Sequence, residues 1–220
     1  LHVRGVELDP VRAAIAAANL RALGLAGEVV TADVRSVEIG ADEVAFVDPA
    51  RRDGRGRTFS TADLQPPWDW VRQLLEGRAV AKVMSGLAHD AVPHGVEAEW
   101  VSDGGNLVEA CLWGAPFATA TRRATVLPSG AGLVAVGEPV ALGQPGSYIY
   151  EPDDAVIRSG LVGELAATIS GWLLDSHIAY VSSDRAETTP LARGFRVLDE
   201  LPFREKQLRA ALQVRRIGTL

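Results

Sequence analysis

The sequence His2-Val3-Arg4-Gly5-Val6-Glu7-Leu8-Asp9-Pro10 combines a short strand with the start of a helix. Apolar and polar residues alternate from 2 to 7, which predicts the strand. Asp9 is a typical N-cap residue and Pro10 suits the first helical position. The apolar residues that follow recur every three or four positions, so one helix face is expected to be buried before the helix ends at Gly24. That face consists of Val11, Ile15, Ala18 and Ala22.

The alternation of strand and helix continues through the first half of the chain. Continuous apolar runs predict strands over 29–32, 44–47 and 79–84, and a helix is predicted over 68–75 after Pro66-Pro67. Such runs are typical of parallel strands that are covered on both faces. The pattern therefore predicts an α/β fold with a doubly wound sheet.

Farther along, the pattern changes to antiparallel hairpins. Strands over 95–102 and 107–113 are joined by Asp103-Gly104-Gly105-Asn106, a hairpin turn signal, and a second hairpin follows around Pro128. From Tyr148 we expect an α+β module whose first helix is capped by Asp154 and runs through Ile169. Strands over 178–181 and 195–198 and a helix over 205–214 complete it. The predicted domains are 1–117 (α/β domain), 118–146 (hairpin and linker) and 147–220 (α+β domain).

The composition limits the class of protein. The chain has 220 residues, of which 47% are hydrophobic and 23% charged, so it can bury a core. No apolar run reaches the ~18–20 residues that cross a bilayer, and no secretory signal is visible. The single cysteine, Cys111, allows neither an intrachain disulfide nor a multi-cysteine zinc site, which fits a reducing cytoplasm. A net charge of -6 excludes a protein that is basic throughout.

Three acidic residues lie at the carboxyl ends of predicted strands. They are Glu7, Asp33 and Asp48. Ligands of open α/β sheets bind beyond the carboxyl ends of the strands. A carboxylate there can accept the hydroxyls of a ribose or the amino group of an adenine, with a backbone N–H such as that of Val34 reading the ring. Any one of them alone is more often a helix cap or a solvated group, but three in succession favour a ligand site.

At these positions the chain resembles the class I S-adenosylmethionine-dependent methyltransferases. More closely, it is similar to the bacterial group that joins such a domain to a C-terminal THUMP-like domain. The segments that carry the resemblance are Val6 to Pro10, Asn19, Ala32-Asp33-Val34, Val47 to Arg51, Val80-Ala81-Lys82, Asn106 to Ala110, and Tyr150 to Leu161.

The resemblance implies roles for particular residues. Glu7 would bind the ribose of S-adenosylmethionine, and Asp33 with Val34 would bind its adenine. Asp48-Pro49-Ala50-Arg51 would be the catalytic motif that binds the substrate, and Asp48 would also lie near the cofactor. Base-modifying members of the family with the corresponding motif methylate exocyclic amines. Ala50 and Arg51 depart from the family pattern, which has a second proline and an aromatic residue there. A guanidinium can also stack on a base.

One family element is not found in the sequence. No strand followed by a glycine-rich turn and a helix occurs anywhere in the chain, although the family holds its cofactor against such a turn. We therefore expect the 220 residues to be a fragment that lacks the first strand of a Rossmann-like sheet. Such a fragment is expected to bind S-adenosylmethionine poorly and to be inactive.

Basic residues predict contact with RNA, with structured RNA as the partner that a THUMP-like domain implies. Arginine side chains bind phosphate through two N–H groups at once. A solvated loop or helix face is the alternative for each cluster. The candidate residues are Arg51, Arg52, Arg55, Arg57, Lys206 and Arg209.

Two further functions remain open at this point. The first is a non-catalytic RNA-binding protein that keeps the methyltransferase fold, which the unusual motif at Ala50 and Arg51 motivates. The second is a nicotinamide-dependent oxidoreductase, because Glu7 would suit its ribose equally, but no Tyr-x-x-x-Lys pair accompanies it. A uracil C5 methyltransferase is disfavoured because its nucleophile would have to be Cys111, on the wrong strand. No metal site is expected.

Overall fold

The fold is that of a computed structural model, which describes residues 2–51, 64–137 and 139–218. In these ranges the strands form one six-stranded, one four-stranded and two two-stranded sheets. The strands are β1 (Val3–Glu7), β2 (Gly27–Thr31), β3 (Ala45–Val47), β4 (Ala50–Arg51), β5 (Leu64–Gln65), β6 (Ala79–Val83), β7 (Glu97–Asp103), β8 (Asn106–Trp113), β9 (Arg122–Leu127), β10 (Ala131–Val134), β11 (Tyr148–Pro152), β12 (Trp172–Asp175), β13 (Ile178–Ser183) and β14 (Ala192–Arg196). The helices are α1 (Pro10–Ala22), α2 (Trp68–Leu74), α3 (Asp154–Ser159), α4 (Val162–Thr168) and α5 (Glu205–Val214), with short 3-10 helices at Val34–Ser36 and His89–Ala91.

The first strand–helix–strand unit has the predicted order. The Asp9 carboxylate accepts hydrogen bonds from the N–H groups of Val11 and Arg12, so the predicted cap is confirmed. Helix α1 ends just before Gly24, whose φ of 64° places it in the left-handed region that favours glycine. Strands β1 and β2 pair in parallel, which aligns their carboxyl ends.

The buried face predicted for α1 is wrong. Val11 is 65% and Ile15 56% exposed, and Ala13 is the buried residue of the helix. Helix α1 packs on a sheet of only two strands, and this sheet covers a narrower stripe of the helix than a wide sheet would.

The predicted continuous parallel sheet is divided in two. Strands β1 and β2 form one sheet, while β3 and β6 pair in parallel within the six-stranded sheet, whose order is β10-β9-β7-β8-β6-β3. The hairpin of β7 and β8 is confirmed, with Gly104 and Gly105 at positive φ in its turn. Strand β9 pairs in parallel with β7, so the second hairpin extends this sheet and the predicted boundary at residue 117 crosses it.

The C-terminal module has a four-stranded antiparallel sheet in the order β12-β13-β11-β14. The single helix predicted from Asp154 is two helices, because Gly160 ends α3 at a φ of 71°. The cap of α3 is Asp153 and not Asp154, since the Asp153 carboxylate accepts from the Ala155 N–H. Strand β12 was not predicted.

Helix α3 joins the C-terminal module to the large sheet. The Arg158 guanidinium donates to the backbone carbonyls of Ser85 and Leu87, in the loop that follows β6. The indole N–H of the fully buried Trp100 donates to the same Ser85 carbonyl. These bonds fix the loop at the carboxyl end of β6. In the described ranges, none of the helices has the length and hydropathy that a membrane crossing requires.

Glu97 is a buried carboxylate that attaches β9 to β7. It is 2% exposed and accepts hydrogen bonds from the backbone N–H groups of Thr119 and Ala120 and from Arg123 Nε. Glu97→Ala should lower the free energy of unfolding by about 2–3 kcal/mol at neutral pH, because these donors lose their acceptor. Urea unfolding checks this, with the exposed Glu76→Gln as control.

The pH dependence of this contribution has a definite sign. Burial raises the pKa of Glu97, but the hydrogen bonds outweigh burial and hold the pKa below its ordinary 4.5. Glu97 therefore stabilises the fold above that pH, and the contribution disappears as the pH falls through the lower folded pKa. An equal difference between wild type and Glu97→Ala at pH 7 and at about pH 3 would contradict this.

Candidate functional site

Three charged side chains converge on adjacent strands of the six-stranded sheet. Asp48 directly follows β3, Lys82 lies on β6 and Glu109 on β8, and these strands are neighbours in the sheet. Lys82 pairs with Cys111 across β6 and β8, so Glu109, two residues from Cys111, shares the sheet face of Lys82. Strand register therefore brings the three groups together at the carboxyl end of β3 and β6.

These side chains line a cavity of about 230 Å³. Lys82 Nζ lies 3.1 Å from Asp48 Oδ2 and 3.8 Å from Glu109 Oε2. Two carboxylates and one ammonium give the polar end of the cavity a formal charge of one negative unit. The other lining residues are Pro49, Leu64, Val83, Met84 and Val108.

Lys82 is held as a cation. The hydrogen bond from Lys82 to Asp48 and the charges of Asp48 and Glu109 raise the pKa of Lys82 above its ordinary value. An ammonium has three N–H donors and no acceptor. The cavity therefore presents one permanent donor between two acceptors.

Cys111 is not suited to nucleophilic chemistry. Burial and the carboxylates of Glu109 and Glu99 raise the pKa of Cys111 to about 11, so the thiol stays protonated at neutral pH. A uracil C5 methyltransferase, which the sequence disfavours, would need a thiolate at this position.

Alkylation measures the state of Cys111 directly. At pH 8, iodoacetamide should modify the native thiol at least about tenfold more slowly than the same thiol in the urea-unfolded chain, because only the thiolate reacts. Mass spectrometry of timed samples gives both rates. Equal rates in the two states would show that the thiol is neither shielded nor held protonated.

The predicted cofactor residues lie at the carboxyl ends of β1 and β2. Glu7 is half-buried, and its Oε1 accepts from the Asp9 N–H at 2.9 Å. Asp33 caps the 3-10 helix that begins at Val34, and both of its oxygens accept hydrogen bonds from the Arg35 guanidinium. The side-chain hydrogen bond from Arg35 lowers the pKa of Asp33 to about 2. Asp33 is thus engaged within the chain, and an adenine amino group would have to replace Arg35.

The predicted substrate motif lies at the cavity in part. Asp48 and Pro49 line it, and Ala50 begins β4, which pairs with β5 and so places Leu64 in the cavity wall. Arg51 is the second residue of β4, and its side chain lies outside the part of the chain that the structure describes. Arg52, Arg55 and Arg57 lie outside the described residues altogether.

The C-terminal basic residues are separate from the cavity. Lys206 and Arg209 are exposed on α5, and neither lines the cavity. Arg209 forms an ion pair with Glu205, one helical turn earlier, at 2.6 Å. A solvated helix face accounts for this pair equally well.

Lys82 and Glu109 were not predicted as site residues. Each is the charged residue of an otherwise largely apolar strand, in Ala79-Val80-Ala81-Lys82-Val83 and in Leu107-Val108-Glu109-Ala110. That signal alone could have identified them, because a charge within a buried strand needs a partner. In the described ranges, no group of three or more His, Cys, Asp or Glu residues is arranged to hold a metal ion.

Comparison with known proteins gives both sequence and structural relatives. No protein-family model matches the chain. Two uncharacterized S-adenosylmethionine-dependent methyltransferases of Mycobacterium tuberculosis, from strains CDC 1551 and H37Rv, are each 40% identical over 216 residues, which is 94% of this chain. The chain spans 59% of the length of these curated relatives.

A provisionally assigned methyltransferase from Porphyromonas gingivalis W83 has a similar solved structure. The TM-score is 0.74 at 18% identity, over 97% of this chain and 59% of the other. The chain therefore has the α/β fold of that protein, and in sequence it is a homologue of proteins named as S-adenosylmethionine-dependent methyltransferases.

Proposed function

We propose that the protein is an S-adenosylmethionine-dependent methyltransferase that modifies RNA at an exocyclic base nitrogen. The observation that carries the proposal is the cavity of Asp48, Lys82 and Glu109 at the carboxyl end of β3 and β6. Ligands of open α/β sheets bind at this edge. Sequence similarity to named methyltransferases supports the reaction type.

The cofactor fits Glu7 better than Asp33. Glu7 Oε1 accepts one backbone N–H, which orients the carboxylate at the end of β1 and leaves it lone pairs for the ribose hydroxyls. Asp33 and Val34 would face the adenine once Arg35 moves aside. When bound, S-adenosylmethionine supplies a sulfonium methyl group, whose transfer to an amine forms one N–C bond, breaks one S–C bond and releases one proton.

Asp48 orients the acceptor amine in this proposal. Its Oδ2 is held by Lys82, and the carboxylate has further lone pairs that can accept from an amine N–H. Fixing the amine in line with the departing sulfur is the main requirement of such a displacement. The released proton passes to Glu109 or to water, since both carboxylates of the cavity are acceptors when ionised.

RNA as the partner rests on the sequence. Arg51, Arg52, Arg55 and Arg57 come soon after Asp48 and Pro49 in the sequence, and in this proposal their guanidinium groups contact phosphates of the RNA. Residues 147–220 would act as a THUMP-like module that captures structured RNA, with Lys206 and Arg209 as candidate contacts. The antiparallel sheet with α3 and α4 supports an α+β module, and Arg158 connects it to the loop after β6.

A further parallel strand would complete the sheet. Within the described ranges β1 pairs only with β2, and β3 only with β6, so each has an open edge. Phe46 on β3 is 66% exposed, and Val11 and Ile15 on α1 are 65% and 56% exposed. We place the glycine-rich cofactor turn of the family after a strand between β1 and β3. Poor cofactor binding by the 220 residues alone stays a prediction.

A non-catalytic RNA-binding protein is the alternative. Ala50 and Arg51 replace residues that the family uses to hold a base, and Asp33 is occupied by Arg35. A chain that had lost methyl transfer could keep the fold and the basic residues without the acceptor chemistry.

Incubation of the natural full-length protein with radiolabelled S-adenosylmethionine and total cellular RNA separates the two functions. The proposal expects label in the RNA, and none with heat-inactivated protein. Binding of RNA without incorporation of label would favour the alternative.

Filter binding at several salt concentrations tests Arg55 and Arg57. Reversing the charge of both should flatten the salt dependence of the affinity for RNA by about one log–log unit per lost phosphate contact.

A further inference from the structure

We propose that Lys82 is a specificity-determining residue that selects adenine and cytosine over guanine and uracil. The inference rests on the proposed function and deepens it by naming the base. It follows from the order of the polar groups in the cavity, where the Lys82 ammonium lies between the carboxylates of Asp48 and Glu109.

The donors of Lys82 are not exhausted by its two partners. An ammonium has three N–H groups, and one of them donates to Asp48 at 3.1 Å, while Glu109 at 3.8 Å is an ion-pair contact too long for a hydrogen bond. The Lys82 side chain is 39% exposed and lines the cavity, so an N–H that does not donate to Asp48 is accessible to a ligand. A ligand atom at that position must accept a hydrogen bond, because Lys82 cannot.

The complementary ligand edge has an N–H donor next to an acceptor. An exocyclic amine that donates to Asp48 would place its neighbouring ring atom near Lys82. On the Watson–Crick edge, adenine presents its amine beside the acceptor N1, and cytosine presents its amine beside the acceptor N3. The guanine amine is flanked there by the N1–H, which would oppose the Lys82 donor. Its other neighbour, the acceptor N3, lies on the sugar edge, so bringing N3 to Lys82 would force the ribose into the cavity. Uracil has no amine.

Part of the cavity wall suits an aromatic ring. Pro49, Met84 and Val108 offer apolar contact beside the polar end, while Leu64 and Val83 are almost fully buried. A methionine side chain makes favourable sulfur–aromatic contacts. The net negative charge of the polar end also disfavours a phosphate there, so the ring and not the backbone of a nucleotide would enter.

The identity of the methylated nucleoside tests this inference. Unmodified RNA transcribed in vitro is incubated with the natural full-length protein and labelled S-adenosylmethionine, digested to nucleosides and separated by chromatography. Wild type, Lys82→Met, Lys82→Arg and the control Arg72→Met are compared. Arg72 is an exposed residue of α2 outside the cavity, and its replacement removes the same charge.

The expected result is label in adenosine or cytidine. Lys82→Met should raise KM for RNA about tenfold or more, because a charged hydrogen bond to the base is lost. The same variant should reduce the preference for adenosine and cytidine over guanosine. Lys82→Arg should recover part of this preference, and Arg72→Met should match wild type in both KM and preference. Label in guanosine or uridine, or an unchanged preference in Lys82→Met, would overturn the role of Lys82 while leaving methyl transfer established. The absence of label from RNA with wild type would overturn the proposed function, and with it the inference.

Discussion

Asp48→Asn in the natural full-length protein is expected to lower kcat for methyl transfer to RNA by about 10²–10³-fold, because it removes a charged acceptor that fixes the amine in the transition state. The exposed position of Asp48 after β3 means that the fold should survive the change. Initial rates of label incorporation at saturating cofactor give kcat, and urea unfolding verifies the fold.

A matched control is available on α2. Asp69 is 90% exposed in the first turn of the helix, and Asp69→Asn makes the same chemical change away from the cavity. Near-wild-type kcat in Asp48→Asn, or an equal loss in both variants, would remove Asp48 from the site.

Glu7→Gln should weaken binding of S-adenosylmethionine by about 10- to 100-fold, because a charged acceptor of hydrogen bonds becomes a neutral one. Asp33→Asn should have a smaller effect, since the Asp33 carboxylate is already bound by Arg35 and must first be released. Calorimetric titration of the natural full-length protein gives both affinities.

Glu28→Gln, an exposed residue of β2, serves as the control for this pair. A larger loss in Asp33→Asn than in Glu7→Gln would show that Arg35 does not compete for Asp33. Unchanged affinity in both would place the cofactor elsewhere.

Local signals predicted the elements of the fold well. The cap at Asp9, the turn at Gly104-Gly105 and the apolar run of β6 each act through neighbouring residues, so the sequence carries them directly. The break at Gly160 was missed because the apolar spacing continues across it. A helical repeat does not reveal that one glycine adopts a positive φ.

Long-range features were harder to predict. The division of the parallel strands into two sheets depends on which strands pair, and the exposure of Val11 depends on the width of the sheet beneath α1. Neither property is local. The same holds for the second hairpin, whose parallel pairing with β7 no turn signal could indicate.

In the candidate site, too, local features were predicted and long-range features were missed. Asp48 was identified because an acidic residue that ends a strand has a known place in an α/β sheet. Its partners Lys82 and Glu109 were missed as site residues, since their meeting depends on the register of β6 and β8 and on the position of β3. Asp33 was identified as a cofactor ligand, but its engagement by Arg35 two residues later was not foreseen.

The central claim is that one cofactor bound at Glu7 delivers its methyl group into the cavity of Asp48, Lys82 and Glu109. A crystal structure of the natural full-length protein with S-adenosylhomocysteine tests it most directly. We expect the ribose hydroxyls within hydrogen-bond distance of the Glu7 carboxylate and the sulfur at the mouth of the cavity. A nucleoside bound away from Glu7, or a sulfur that faces away from Asp48, would contradict it.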